Sequence, residues 1–137
     1  MSADTGGNLT LHDYWIDELL SGGVTIRLLT TAVDYDDTDA DLTAKEVDAA
    51  GYSSQSVAAT EWSTTTDITN GTTTLTNDSV IDFGTADADW GIVVDFVIQN
   101  DANPDRFARI DEPNDPEITE GEDVQFSSND IEYTLGN

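Results

Sequence analysis

The 137-residue chain has no cysteine, one histidine, three prolines and four cationic side chains, Arg27, Lys45, Arg106 and Arg109. Without cysteine there are no disulfides, no thiol chemistry and no thiolate zinc site, so compactness must come from packing. With so few cations no basic patch can form, which disfavours nucleic-acid phosphates as partners, since their binding rests on Lys and Arg displacing condensed counterions. No run of eighteen apolar residues occurs, and Met1 to Thr10 lacks the basic start and apolar stretch of a signal peptide. The expectation is a chain made in the cytoplasm, without membrane insertion, that reaches any outer surface by assembly or lysis.

What is abundant is acid. Twenty-nine Asp and Glu leave a formal charge of -25, and self-repulsion on that scale opposes a compact state in dilute buffer. At 1 M salt the Debye length falls to roughly 3 Å and the repulsion is largely screened. The composition therefore reads as adaptation to brine. Low hydrophobicity with high charge is also a mark of disorder, but three Trp, four Tyr, four Phe and repeated period-two alternation favour a folded domain.

Along the chain, an N-terminal arm over 1–10 is followed by a predicted short helix over 11–20, with Thr10 as N-cap, Gly22 as stop and Leu11, Tyr14, Trp15, Glu18 and Leu19 on one stripe. Val24 to Thr31 alternates as a first strand with Val24, Ile26 and Leu28 on one face. Ala32 to Ala50, rich in Asp and Ala, reads as the longest loop.

From Gly51 on the pattern is β. Tyr52–Ala58 is strand-like. The Thr-rich run Thr64–Thr76 is broken by the turn pair Asn70-Gly71, and Thr72–Thr76 offers little apolar surface and reads as an edge. Ser79–Phe83 is a further strand, and Ile92–Ile98 is the most apolar run and the predicted central one. Arg106–Ile110 is expected to pair back as a hairpin. Pro113 and Pro116 mark a loop and Thr119 to Glu122 a turn; Val124–Phe126 and Ile131–Leu135 close the chain. Seven or eight strands in residues 11–137 predict a single all-β domain, an antiparallel sandwich of jelly-roll or immunoglobulin-like type with one helix.

The acidic run supplies the candidate metal ligands Asp34, Asp36, Asp37, Asp39 and Asp41, because Ca²⁺, Mg²⁺, K⁺ and Na⁺ all favour oxygen donors from a flexible loop. It is not an EF-hand: counted from Asp34, the sixth position is Asp39 where Gly is needed and the twelfth is Lys45 where Glu is needed. A solvated acidic loop is the plainer reading, and no cofactor is required. Acid pairs such as Asp87 with Asp89 or Glu120 with Glu122 arise by chance among so many acids. His12 has no nucleophile-elbow sequence near it, so no catalytic residue is assigned and an enzyme is not expected. Three glycosylation sequons, at Asn8, Asn70 and Asn77, are what a Thr-rich chain produces by chance.

Two longer elements carry a resemblance. Glu46-Val47-Asp48-Ala49-Ala50-Gly51-Tyr52 is similar to a Glu-Val-(small)-Gly-Tyr element, and Phe83-Gly84-Thr85-Ala86-Asp87-Ala88-Asp89-Trp90-Gly91 to a Phe-x-Ala-x-Ala-Asp-Trp-Gly element followed by a long apolar strand. Both belong to a family of small tailed-phage virion proteins described as tail, tail-fibre or head-decoration proteins. The order of helix, strand, loop, these elements, the Glu120-Gly121-Glu122-Asp123 turn and two last strands resembles that family over about four fifths of the chain. Ser53-Ser54 stands where the family has a basic residue, and the long acidic loop is a further departure; both fit salt adaptation.

The resemblance implies a virion protein of a haloarchaeal tailed virus, a capsid decoration or turret protein first and a tail or baseplate component second. It would be a homo-oligomer, a trimer or pentamer, on major capsid or tail proteins. A secreted cation-binding module is the reading from another class. For Trp90 the residues themselves suggest a plug at one end of the core, with Gly91 allowing close approach.

Overall fold

The structure is a computed structural model that describes residues 3–112 and 114–136, with side chains from Leu11 onward. The chain is mostly β, with antiparallel pairing throughout, sandwich-like and carrying one N-terminal helix. Its elements run α1 (Ala3–Leu20), β1 (Val24–Leu29), α2 (Asp39–Lys45), β2 (Gln55–Val57), β3 (Trp62–Asp67), β4 (Thr72–Asn77) and β5 (Ile81–Thr85). They continue with β6 (Gly91–Ile92), β7 (Asp95–Asn100), β8 (Phe107–Asp111), β9 (Glu117–Ile118), β10 (Asp123–Phe126) and β11 (Glu132–Leu135).

Helix α1 begins eight residues before the predicted start, so residues 3–10 are helix instead of arm and Thr10 is an interior position. Nucleating a helix is the expensive step, and added turns cost little once Ile16 and Leu19 anchor one end. Its buried face also differs from the predicted stripe. Ile16 and Leu19 are buried with Trp15 and Leu20 partly so, whereas Leu11 and Tyr14 are 66% and 63% exposed. The end of the helix is as expected: Gly22 and Gly23 take positive φ. The buried Asn100 amide donates to the carbonyls of Leu19 and Ser21 at 2.7 and 2.8 Å, groups that a helix end leaves without partners.

The largest sheet has the order β2-β1-β7-β8. Its register sets Ile26 opposite Ile98 and Leu28 opposite Phe96 on one face, and Arg27 opposite Val97 and Leu29 opposite Asp95 on the other. The first face joins Leu75, Ile81 and Phe83 from other strands, with Trp90 and Ile131 from the segments just before β6 and β11, in the main core, and Phe96 meets Phe126 with ring centroids 4.8 Å apart. The second face is covered by residues 30–47, through a smaller cluster of Leu29, Val33, Leu42 and Val97. All six residues of β7 are therefore buried.

Several sequence expectations change in detail. The apolar run at 92–98 divides: Gly91–Ile92 pairs with β9, a strand the sequence did not announce, while β7 enters the large sheet three residues on. The switch lies at Val93 and Val94, whose amides bond to Pro116 and Leu29 carbonyls. β4 is no edge; it lies between β11 and β3, with Thr73, Leu75 and Asn77 buried beneath it. The edge is β3, exposed beyond Trp62. The Asn70-Gly71 turn and the Arg106–Ile110 hairpin are found where expected, the latter as β8 paired with β7. Pro113 lies outside the described residues.

Candidate functional site

The stretch read as a loop, Ala32 to Ala50, is an ordered strap carrying a two-turn helix. α2 starts at a capping box: the Thr38 hydroxyl accepts from the Asp41 amide, and the Asp41 carboxylate accepts from the Thr38 amide at 2.9 Å. Asp39 and Asp41 in its first turn and Lys45 in its last suit the helix dipole. One apolar residue, Leu42, is driven fully into the sheet. The signals were present in the sequence as Thr38-x-x-Asp41 with Leu42, but the surrounding acids hid them.

The five candidate ligands separate into three tasks. Asp34, Asp36 and Asp37 come together, with carboxylate oxygens within 4.8 Å of one another. Lys45 already serves that cluster, its Nζ lying 2.5 Å from Asp37 and 3.5 Å from Asp34. That ammonium holds the Asp37 carboxyl below its ordinary value, and Asp37 in turn holds the lysine above its own. A metal cation using these carboxylates would have to displace it. Asp39 is directed elsewhere, accepting from Arg27 Nη2 at 2.9 Å and from the Gln99 amide at 2.7 Å. Asp41 is committed to the cap.

Sequence reading missed the network under the strap. Arg27 leaves the middle of β1 on its second face and reaches Asp39, Thr43 Oγ1 at 2.9 Å and Glu46 at 3.3 Å. Asp95, 1% exposed, accepts from the Val33 amide at 2.7 Å and from Arg109 Nε at 3.2 Å. Arg27 and Lys45 thus fasten this segment directly and Arg109 acts on it only through Asp95, while the fourth cation, Arg106, pairs with Glu18 of α1 at 3.2 Å. A lone Arg alternating within Val24–Leu29 was the available signal.

The two longer elements singled out in the sequence meet. Gly51, at φ +87°, lies so close to the backbone of Asp87 that a Cβ there would stand 2.7 Å from the Asp87 amide. Ala50 O receives that amide and also the Trp90 indole N–H at 3.1 Å. Tyr52 stacks on Phe83 and meets Trp90 edge-on at 5.3 Å. Its hydroxyl donates to Glu46 and accepts from the Leu28 amide at 3.0 Å; burial, aided by the Glu46 carboxylate, pushes this phenol well above its ordinary value. Trp90 does plug the core, 4% exposed. Gly91 needs its positive φ of 90° instead of close approach, for the nearest atom to a Cβ there would be 3.9 Å away.

The remaining candidates have structural partners. Asp89 accepts from the Glu120 amide and Glu122 from Thr119, as turn caps. His12 Nδ1 lies 3.5 Å from Thr73 Oγ1. Asn77 is buried and holds Ser79, Ser127 and Ile131, which removes its sequon from reach; Asn70 is in the β3–β4 loop, and the Asn8 side chain lies outside the described residues. No known family model, characterised protein or solved structure matches the chain.

Proposed function

We propose that the chain is a non-enzymatic structural protein of the virion of a haloarchaeal tailed virus, seated on the capsid as a decoration or turret protein. The observation that carries this reading is the contact between the Glu46–Tyr52 and Phe83–Gly91 elements. The residues that bear the resemblance pack together around Tyr52, Phe83 and Trp90, which supports reading the two elements as one structural unit.

The ion pairing also supports it. All four cations are paired within the chain, leaving an outer surface dominated by acids, which suits a module facing brine. Copies would assemble as a trimer or pentamer about a particle axis and dock on major capsid proteins. The exposed β3 edge carries no charge from Trp62 to Thr66 and offers another chain a strand to pair with at little repulsion.

The test is copy number in purified virions, by quantitative mass spectrometry against the major shell protein. Capsid decoration predicts many tens to hundreds of copies. A count of about three to twelve, a single symmetric ring, would move the protein to the tail or baseplate. Absence from particles would overturn the reading in favour of a secreted module.

A further inference from the structure

Beyond the virion reading, and without depending on it, we infer that an open cleft between α1, the strap and β8 binds a carboxylate-bearing sugar, a uronate or a comparable acidic residue of a glycan. The cleft has a volume of about 490 Å³, and its lining includes Trp15, Tyr35, Asn103, Asp105, Arg106, Phe107, Arg109 and Tyr133. That is room for one or two sugar rings, and the size is ordinary for a small-molecule site.

The lining runs against the composition of the chain. A protein with four cations places two of them here, together with four of its eleven aromatic residues. Trp, Tyr and Arg are the side chains that carry recognition energy most often, and here none of them is fully withdrawn from solvent. Arg109 is 46% exposed and Arg106 30%. Tyr35 is 97% exposed, a ring standing at the rim with no packing to explain it.

The two guanidiniums are pre-oriented. Arg109 is held through Nε by the buried Asp95, and among the described residues neither of its Nη atoms has a partner, which leaves its outer donors for a ligand. Arg106 is held through Nη1 by Glu18. A planar carboxylate is the natural complement of such a donor edge. Trp15 is fixed as well, its indole N–H donating to the Tyr133 hydroxyl at 3.1 Å. Fixed and rim aromatic rings offer faces for the C–H surface of a sugar.

A sugar fits better than an acidic peptide. Asp105 bonds the Asp39 amide with one oxygen and keeps the other, and the Asn103 side-chain amide has no partner among the described residues. A carboxylate and an amide beside the guanidiniums suit hydroxyl groups, which donate and accept. A peptide with several acids would meet Asp105 and the surrounding negative surface, whereas a sugar acid brings one carboxylate that Arg109 can take.

The experiment follows the three Trp indole N–H signals by NMR in the full chain at molar KCl, during titration with sodium glucuronate and, separately, glucose. Trp62 and Trp90 are 8% and 4% exposed, so Trp15 is the reporter. Glucuronate is expected to shift the Trp15 signal at concentrations where glucose does not. Arg109→Gln should weaken glucuronate about tenfold or more, the scale of a lost charge-assisted bond. Arg109→Lys should recover only part, because the charge returns without the fork.

Arg109 also steadies Asp95, so Tyr35→Ala provides a variant with no folding role. It should weaken glucuronate while leaving the other indole signals in place. The inference is overturned if glucuronate leaves Trp15 unmoved, if glucose matches it, or if both variants bind as the parent does. A response to a poly-aspartate peptide without one to glucuronate would overturn it too, and would assign the cleft to a protein partner.

Discussion

The two faces of the β2-β1-β7-β8 sheet are built on different principles from alternate residues of the same strands. On the first, Val24, Ile26, Leu28, Phe96 and Ile98 meet the main core with apolar contacts. On the second, Leu29, Val97 and the strap's Val33 and Leu42 make a small apolar cluster ringed by Arg27, Asp39, Glu46, Asp95 and Gln99. Apolar contacts carry no charge to be screened or titrated, whereas the ionic ring depends on both salt and pH. One face thus secures the fold, and the other tethers a segment that can respond to its surroundings.

The comparison breaks most visibly at the first face. Ile98→Ala is expected to cost about 2–5 kcal/mol, from lost burial and the cavity left behind, read as a lowered denaturant midpoint in molar KCl. On the second face Asp95→Ala should cost less, about 1–3 kcal/mol, because the Val33 amide is left buried without an acceptor while Arg109 turns to water. Hydrogen exchange should then show protection lost at Val33 and Leu42 before Ile98. Equal loss across both faces would mean that the strap and the core open together.

Thr38→Ala removes the α2 cap and is expected to cost about 1 kcal/mol, seen as faster exchange in 39–45 alone. The smallest effect is on pH. Lys45, hydrogen-bonded to Asp37, holds its carboxyl below the ordinary value in the folded chain. The contribution of Asp37 is complete above that ordinary value and is lost as pH falls through the lowered folded value. The pair is solvent-screened, so only the strap amides should respond, and Lys45→Gln should abolish the response. A strap that keeps its protection in acid would assign its hold to Leu42 and Val33 instead.

Much of the β pattern was readable because side-chain alternation has a strict period of two: Val24, Ile26 and Leu28 face one way on the page and in the sheet. Hairpins announced by Asn70-Gly71 or by the loop before Arg106 were readable for the same local reason. α2 was obscured because its seven residues include only one buried apolar side chain, Leu42, which gives no periodic stripe. β4 was read as an edge because Thr is ambiguous: Thr73 is buried while Thr72 and Thr74 are not, and composition cannot tell them apart. Of the acidic run, the sequence showed the donors but not that Lys45 and Arg27 would claim them.

The cleft at Arg109 was invisible for a related reason. Its lining comes from residues 15, 35, 103, 105–109 and 133, and no local spacing relates them.

By itself the sequence determined the β class, the absence of disulfides, the acidic surface and the places of the strongest turns, since each depends on composition or on neighbours a few residues apart. Only the tertiary structure decided which face of each strand met the core, which acids were paired, and where Gly51 would press against Asp87. Those depend on contacts between residues far apart in the chain, and with twenty-nine acids competing for four cations, only packing chooses the partners.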